Sequence, residues 1–373
     1  MDVLAPHRYA YHPPISTTKT LRAGVVGVGW AGIQHAEAYA KLPGVELAGI
    51  AGLEEPVRRE LADRLGVERH VGDWAELFAD ESLDVVSVAV PTFLHAPITI
   101  AALERGLHVL CEKPIARTPS EAASMVDAAE RADRVLDVAF NHRQRGDIQT
   151  LRRVVEDGRL GQVYYAKAWW LRRTGIPTLG SWFTNREQAG GGPLLDIGIH
   201  VLDYALFLLG QPRVTTVSAS TYDLLATGGF GDAEVSDKTG GAGGFDVEDL
   251  ATAFLRLDDG GTLLVEASWA AHRTAGDEFG ITLFGTEGGA DLRVVDMEAI
   301  GTLKVFSDVA GVAAVTELHP RAGTGHDAVV AQFLETVRAG RGGEGVAAAG
   351  LASIVDACYR SAEARREIAL TSA

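Results

Sequence analysis

Short apolar runs alternate with helical patterns along the first 140 or so residues. Leu21–Val28, Val45–Ala51, Val85–Val90, His108–Cys111 and Val135–Phe140 read as buried strands. Between them the pattern predicts helices running to about Lys41, at Pro56–Leu65 where a proline opens the first turn, and from Asp73 to near Ala79. Two more end at Arg105 and span Ser120–Asp133. Strands and helices alternating at this spacing imply right-handed crossovers and a parallel sheet covered on both faces. A doubly wound α/β domain is expected over residues 21–142.

Past Arg143 the rhythm changes. A helix at Asp147–Asp157 leads into a strand at Val163–Leu171, followed by a Gly/Trp-rich loop and a helix at His200–Leu209. Val214–Ser220, Leu250–Leu257, Thr262–Ala270 and Ile281–Phe284 read as strands, separated by turns such as Asp258–Gly261 and Gly285–Gly289. Helices at Asp327–Arg338 and Val346–Glu367 close the chain. Residues 143–373 are therefore expected to form an α+β domain on a large, mostly antiparallel open sheet. Residues 1–20 carry prolines and no apolar signal core, and read as an arm. Thr227–Gly244 reads as a flexible loop insertion.

Composition narrows the functional classes. The 373 residues hold 34 Lys+Arg against 50 Asp+Glu, a net charge of −16, which disfavours nucleic-acid backbones. No apolar run approaches the ~20 residues a membrane-spanning helix needs. Two cysteines, Cys111 and Cys358, provide neither a disulfide scaffold nor a zinc ribbon, and a cytoplasmic location is expected.

The first strand runs into Gly27-Val28-Gly29-Trp30-Ala31-Gly32, a G-x-G-x-x-G segment between a strand and a helix. Gly27 permits the tight turn, Gly29 lets backbone N–H groups approach a pyrophosphate, and Gly32 lets helix and strand pack closely. Dinucleotide binding is expected here, with Trp30 and Ala31 in the same loop. The acid usually found about 20 residues on, at the tip of the second strand, is replaced by Gly52. Glu54 or Glu55 can reach the ribose in its place, while Arg58 and Arg59 can meet a 2′-phosphate. The choice between NAD and NADP stays open, leaning to NADP.

Three further segments complete a pattern. Pro91-Thr92-Phe93-Leu94-His95 follows the strand at Val85–Val90, and Glu112-Lys113-Pro114 follows His108–Cys111. Asp196-Ile197-Gly198-Ile199-His200 sits behind the glycine run Ala189–Pro193. With Phe140–Arg143, Val247–Leu250 and the closing helix around Gly350–Arg366, their order and spacing resemble the glucose–fructose oxidoreductase/inositol dehydrogenase (Gfo/Idh/MocA) family over residues 21 to about 368.

That resemblance implies that Lys113 and His200 face nicotinamide and substrate with Asp196 beside His200, and that the peptide before Pro114 is cis. Pro91, Thr92, His95, Glu112 and Lys113 are expected to join Gly27–Gly32, Gly52 and Arg58 around the cofactor. Oxidising a secondary alcohol requires a positioned base for the hydroxyl proton, and a histidine serves in both directions. If their segment is helical, Asp196 and His200 share a face, and the carboxylate can orient the imidazole. Lys113 can polarise the reacting oxygen or relay the proton.

On the substrate side, Trp169, Trp170, Arg172, Arg173, Trp182, Phe183, Asn185 and Arg186 precede Asp196, and aromatic faces with Arg and Asn donors suit a polyhydroxylated ring. Since Trp169 and Trp170 alternate faces, at most one of them lines a pocket. His142 and Arg143 are candidates for its rim. Asp196, His200 and Asp203 are ligand-type residues, but no further His or Cys lies near them in sequence, and no metal is expected.

The expected protein is an NAD(P)-dependent oxidoreductase of a sugar, cyclitol or related polyol, assembled as a homodimer or homotetramer. Two alternatives share the fold: an NAD-dependent glycoside hydrolase working by transient oxidation and elimination, and a non-enzymatic NAD(P)-binding regulator.

Overall fold

In the computed structural model, residues 19–227, 245–273 and 276–370 are described. Almost all of the expected N-terminal arm, and nearly all of the Gly-rich insertion, lie outside them. The first half is built from β1 (Leu21–Val26), α1 (Trp30–Lys41), β2 (Val45–Ala51), α2 (Glu55–Leu65), β3 (His70–Val71) and α3 (Trp74–Phe78), continuing with β4 (Val85–Val88), α4 (His95–Glu104), β5 (His108–Glu112), α5 (Pro119–Ala132) and β6 (Leu136–Ala139). Its sheet is parallel, in the order β3-β2-β1-β4-β5-β6. The order reverses between β1 and β4, and doubly wound sheets bind ligands at the carboxyl ends of the strands flanking such a point. Local chemistry sets the helix ends. Asp73 and Thr118 accept N-cap bonds, and Gly66 closes α2 in the left-handed region.

The second half contains α6 (Gly146–Glu156), β7 (Val163–Arg172), α7 (Arg186–Ala189), α8 (Pro193–Asp196), α9 (Gly198–Leu208), β8 (Val214–Tyr222) and α10 (Leu224–Thr227). Then come β9 (Leu250–Leu257), β10 (Thr262–Ser268), β11 (Asp277–Gly285), β12 (Gly289–Val295), β13 (Thr302–Val309) and β14 (Val312–Leu318), and finally α11 (His326–Arg338), α12 (Gly345–Ala364) and β15 (Ile368–Ala369). Nine strands form one sheet in the order β14-β13-β12-β11-β7-β10-β9-β8-β15. Every pairing in it is antiparallel except β7 with β10. The meander continues through β12–β14, beyond the strands the pattern predicts. On β13 and β14, Val309, Val312 and Val315 are exposed, so those two strands carry little buried alternation to read.

Helix α11 returns to the first half. Val329, Val330, Phe333 and Leu334 are buried in one cluster with Ala23, Val25, Tyr39 and Ile50, so the face of the parallel sheet beside α1 is covered by a late segment of the chain.

Candidate active site

The glycine loop follows β1. Gly27 has φ +105°, and a Cβ there would meet the Ala89 carbonyl oxygen at 2.0 Å. A Cβ on Gly32 would meet the Gly27 carbonyl oxygen at 2.0 Å, whereas Gly29 has open space beside it. The loop is therefore packed from below and open above, at the N-terminus of a helix with no acid in its first turn. These features fit a dinucleotide pyrophosphate. Trp30 stands 69% exposed at the start of α1.

At the tip of β2, the Arg58 guanidinium donates to the Gly52 carbonyl oxygen, and its Nε is buried without a partner. Arg59 is turned away and pairs with Glu55 on the exposed face of α2. A Cβ on Gly52 would lie 2.8 Å and 2.9 Å from the two Val28 methyls. Strand packing beneath the tip therefore requires glycine there.

Two expected cofactor contacts are corrected. The His95 ring is buried, with Nδ1 2.7 Å from the Pro114 carbonyl oxygen and Nε2 2.9 Å from that of Val90. Burial favours the neutral ring, whose single N–H donates to one of these two carbonyls, so the imidazole sits wedged between the 90–91 and 113–114 loops, beside the cis Lys113–Pro114 bond and the Pro91–Leu94 turn where Thr92 is buried. The Glu112 carboxylate turns inward too: one oxygen accepts the Lys113 N–H at 3.1 Å, and the other lies 3.1 Å from His35 Nε2. His326 Nε2 is 3.5 Å from that second oxygen. Burial raises the Glu112 carboxyl, but its interactions with the two histidines outweigh it and hold it well below its usual range.

The expectation that Asp196 orients His200 is corrected as well. The segments carrying them are bent by 46° at Ile197, so the two residues do not share a face of one straight helix. The Asp196 carboxylate instead accepts Lys113 Nζ at 3.0 Å and Trp269 Nε1 at 3.0 Å, and its main-chain carbonyl accepts Lys113 Nζ at 3.0 Å. Burial raises the Asp196 carboxyl, while Lys113, Arg172 and the two donors bring it below its ordinary value.

The turn before Asp196 is held by Glu248. Its buried carboxylate accepts the Gly192 N–H at 2.9 Å, the Leu194 N–H at 3.1 Å and the Tyr359 hydroxyl at 2.9 Å. A Cβ on Gly191 would meet the Tyr359 hydroxyl at 2.0 Å, and one on Gly192 the Glu248 carbonyl oxygen at 2.1 Å, which accounts for the glycine run.

His200 is buried, and its Nδ1 has no partner. Its ring lies 4.6 Å from that of His142 and 5.8 Å from that of Trp170. His142 Nδ1 is likewise unpartnered, and its ring packs 4.9 Å from Trp170 and 5.0 Å from Phe279. Burial pushes both imidazoles well below their ordinary value, and the Lys113 charge adds to this at each. Two neutral imidazoles can pack this closely; two imidazolium ions would repel. Arg143 forks onto Asp203, on the same helix as His200, at 2.5–3.0 Å and reaches Glu344 at 2.5 Å. That pairing ties the His142–Arg143 segment to α9.

Arg172 donates to Asp277 at 2.9 Å with its guanidinium over Trp170, and its charge reaches Asp196 and His200. Trp170 thus faces the two histidines, while Trp169 donates to Glu278 at 3.2 Å. The Trp182 ring stacks on Phe183 at 3.8 Å, and none of the described contacts joins it to Lys113 or His200. Sequence reading missed Trp269, His326, Glu248 in its anchoring role and His35. Trp269 and His326 come from segments remote from the motifs, and Glu248 lies in the Val247–Leu250 segment, whose spacing gives no sign of what it anchors. Only His35, three residues past the glycine loop, carried a positional signal.

The family described as "Oxidoreductase family, NAD-binding Rossmann fold" (GFO_IDH_MocA) matches residues 21–140, and the "GFO/IDH/MocA C-terminal domain" matches residues 148–291. The chain belongs to this family of oxidoreductases. Among its relatives, the D-glucoside 3-dehydrogenase of Escherichia coli (strain K12) is 36% identical over 281 residues, covering 74% of this chain and 78% of the relative. The levoglucosan dehydrogenase of Pseudarthrobacter phenanthrenivorans is 32% identical over 268 residues, covering 68% and 69%. A solved structure of levoglucosan dehydrogenase in complex with NADH superposes with a TM-score of 0.82 at 27% identity, over 95% of this chain and 100% of that one. Among the described residues, no single helix is long and apolar enough to cross a membrane.

Proposed function

We propose that this protein moves a hydride between nicotinamide and a ring carbon bearing a hydroxyl in a glucoside-like sugar, with His200 as the proton acceptor and Lys113 as the polarising cation. The observation that carries the reading is the Lys113 ammonium. Two of its hydrogens are committed to Asp196, and it lies close enough to His200 to depress that imidazole. One ammonium hydrogen remains for the reacting oxygen. A neutral His200 then takes the hydroxyl proton as a ketone forms, and returns it in reduction. When bound, the nicotinamide supplies the hydride acceptor. His142, Trp170 and Arg172 surround the pair and fit a polyhydroxylated ring through stacking and directed donors.

The sugar assignment is supported by the relatives' names, a D-glucoside 3-dehydrogenase, a levoglucosan dehydrogenase and a myo-inositol 2-dehydrogenase. Both dinucleotides fit this reading, because no carboxylate at position 52 opposes a 2′-phosphate and Arg58 stands at that tip. Self-association is supported by one exposed apolar row. Phe284, Phe306 and Val315 lie in cross-strand register on β11, β13 and β14, with Gly289 between the two phenylalanines.

The test is a panel of methyl glucosides, levoglucosan and myo-inositol assayed with NAD and NADP at the reduced-nicotinamide absorbance band. Turnover with a glucoside supports the reading. Cleavage of a glycoside with no added nicotinamide consumed replaces it with the elimination mechanism, and no turnover of any cyclic polyol removes it.

A further inference from the structure

His35 on α1, Glu112 at the end of β5 and His326 at the start of α11 meet beneath the glycine loop, and their ligand-type atoms all lie within 4.8 Å of one another. All three side chains are at least nine-tenths buried. We propose that this group is a divalent-cation site of the zinc type, with His35 Nε2, Glu112 Oε1 and His326 Nε2 as its protein ligands.

The spacing carries the proposal. Zinc binds His nitrogen and carboxylate oxygen at about 2.0–2.2 Å, so neighbouring ligand atoms of a tetrahedron stand roughly 3.3–3.5 Å apart. Here the nitrogen-to-oxygen separations are 3.1 Å and 3.5 Å. The longer one is poor for a hydrogen bond, so the carboxylate is only loosely matched to His326 as an N–H donor.

The surrounding groups fix the ligands from behind, as metal sites require. His35 Nδ1 lies 2.9 Å from the Ser87 hydroxyl, which lies 3.0 Å from the Tyr39 hydroxyl, so Nε2 is the nitrogen turned to Glu112. The Lys113 N–H holds the other Glu112 oxygen, aiming Oε1 at both imidazoles. The Trp30 ring meets His326 edge-on at 5.1 Å on the outer side. Two neutral imidazoles and one carboxylate form the protein donor set of many zinc centres, and their net charge of −1 suits a dication. A cation here would tie α11, which closes one face of the parallel sheet, to β5 immediately before Lys113.

The full-length protein, without a histidine tag and dialysed against a chelator, is titrated with Co²⁺ alone. The expected result is one equivalent bound, with visible absorption of a four- or five-coordinate ion that Zn²⁺ abolishes by displacement. Zn²⁺ at a hundredfold excess over its Kd should raise Tm by roughly 2–5 °C. In His326→Gln and Glu112→Gln, with folding checked by circular dichroism, uptake should fall at least tenfold. Absence of Co²⁺ uptake by the parent, or uptake undiminished in both variants, overturns the proposal and leaves a hydrogen-bonded triad. If one variant does not fold, the other decides. These readouts need no turnover, so they stand or fall separately from the dehydrogenase reading.

Discussion

The Lys113 ammonium meets Asp196 twice, at 3.0 Å from its carboxylate and at 3.0 Å from its main-chain carbonyl. The second contact is possible because the helix breaks at Ile197, leaving that carbonyl free to accept from outside the helix. One residue of the second half thus fixes the direction of a side chain from the first. Trp269, fully buried, holds the other carboxylate oxygen.

Lys113→Ala should lower kcat by roughly 10²–10⁴-fold and also raise the substrate KM, since polarisation and anchoring are lost together. Asp196→Asn keeps the shape but removes the balancing charge, so kcat should fall by a smaller factor at neutral pH. Steady-state kinetics on the substrate found by the panel decide this. Parent-like kcat in Lys113→Ala would remove the lysine from the chemistry.

His200→Ala should cost kcat a similar roughly 10²–10⁴-fold, with cofactor affinity little changed. The pH dependence adds a sharper check. Burial and the Lys113 charge keep His200 neutral well below pH 6.5, so the base form is already present at pH 6. The parent's kcat/KM should therefore stay level as pH falls from 8 to 6 and turn down only below that. An acid limb centred at 6.5 or higher that His200→Ala abolishes would contradict the buried, neutral assignment.

The parallel sheet was legible because its strands are apolar on both faces and its turns carry motif glycines, and the Asp196–His200 segment stood out as a candidate through its order behind Lys113. Their mutual geometry was not legible. A four-residue spacing implies a shared helical face only if the helix is continuous, and here it is bent by 46° between Asp196 and Gly198. His95 and Glu112 lie in cofactor-side motifs yet point inward, which no linear spacing encodes. The His35–Glu112–His326 group joins residues more than 200 positions apart and was invisible for the same reason.

Arg58 gives the cofactor prediction. Its guanidinium sits on the Gly52 carbonyl, and charge-assisted bonds of the kind it can offer a 2′-phosphate contribute roughly 1.5–3 kcal/mol. Arg58→Ala should reduce kcat/KM for NADP about 10–100-fold and leave NAD within a few-fold. Gly52→Asp is the complementary change, but its Cβ meets both Val28 methyls, so it belongs with Val28→Ala. That pair should shift preference toward NAD. Equal losses for both dinucleotides in Arg58→Ala would make Arg58 a packing residue at the strand tip.

Asp137 supplies a stability prediction. It lies buried on β6, and Oδ1 accepts the Glu344 N–H at 2.6 Å. Burial pushes its carboxyl up to about 6, with the nearby Glu344 charge adding to the shift. A raised carboxyl binds its proton more tightly when folded, so the native state holds more protons than the unfolded chain between about pH 4 and 6. Stability from this group is then greatest in acid and declines as pH rises through that window, by at most about 3 kcal/mol, with no further change above it. Asp137→Asn retains an oxygen for the Glu344 N–H and carries no charge. Its Tm should exceed the parent's by roughly 2–5 °C at pH 8, and the difference should shrink at pH 4.5. Calorimetry at both pH values checks this. A variant less stable than the parent at pH 8 would mean that Arg143, whose charge opposes the shift, already balances an ionised Asp137 in the fold.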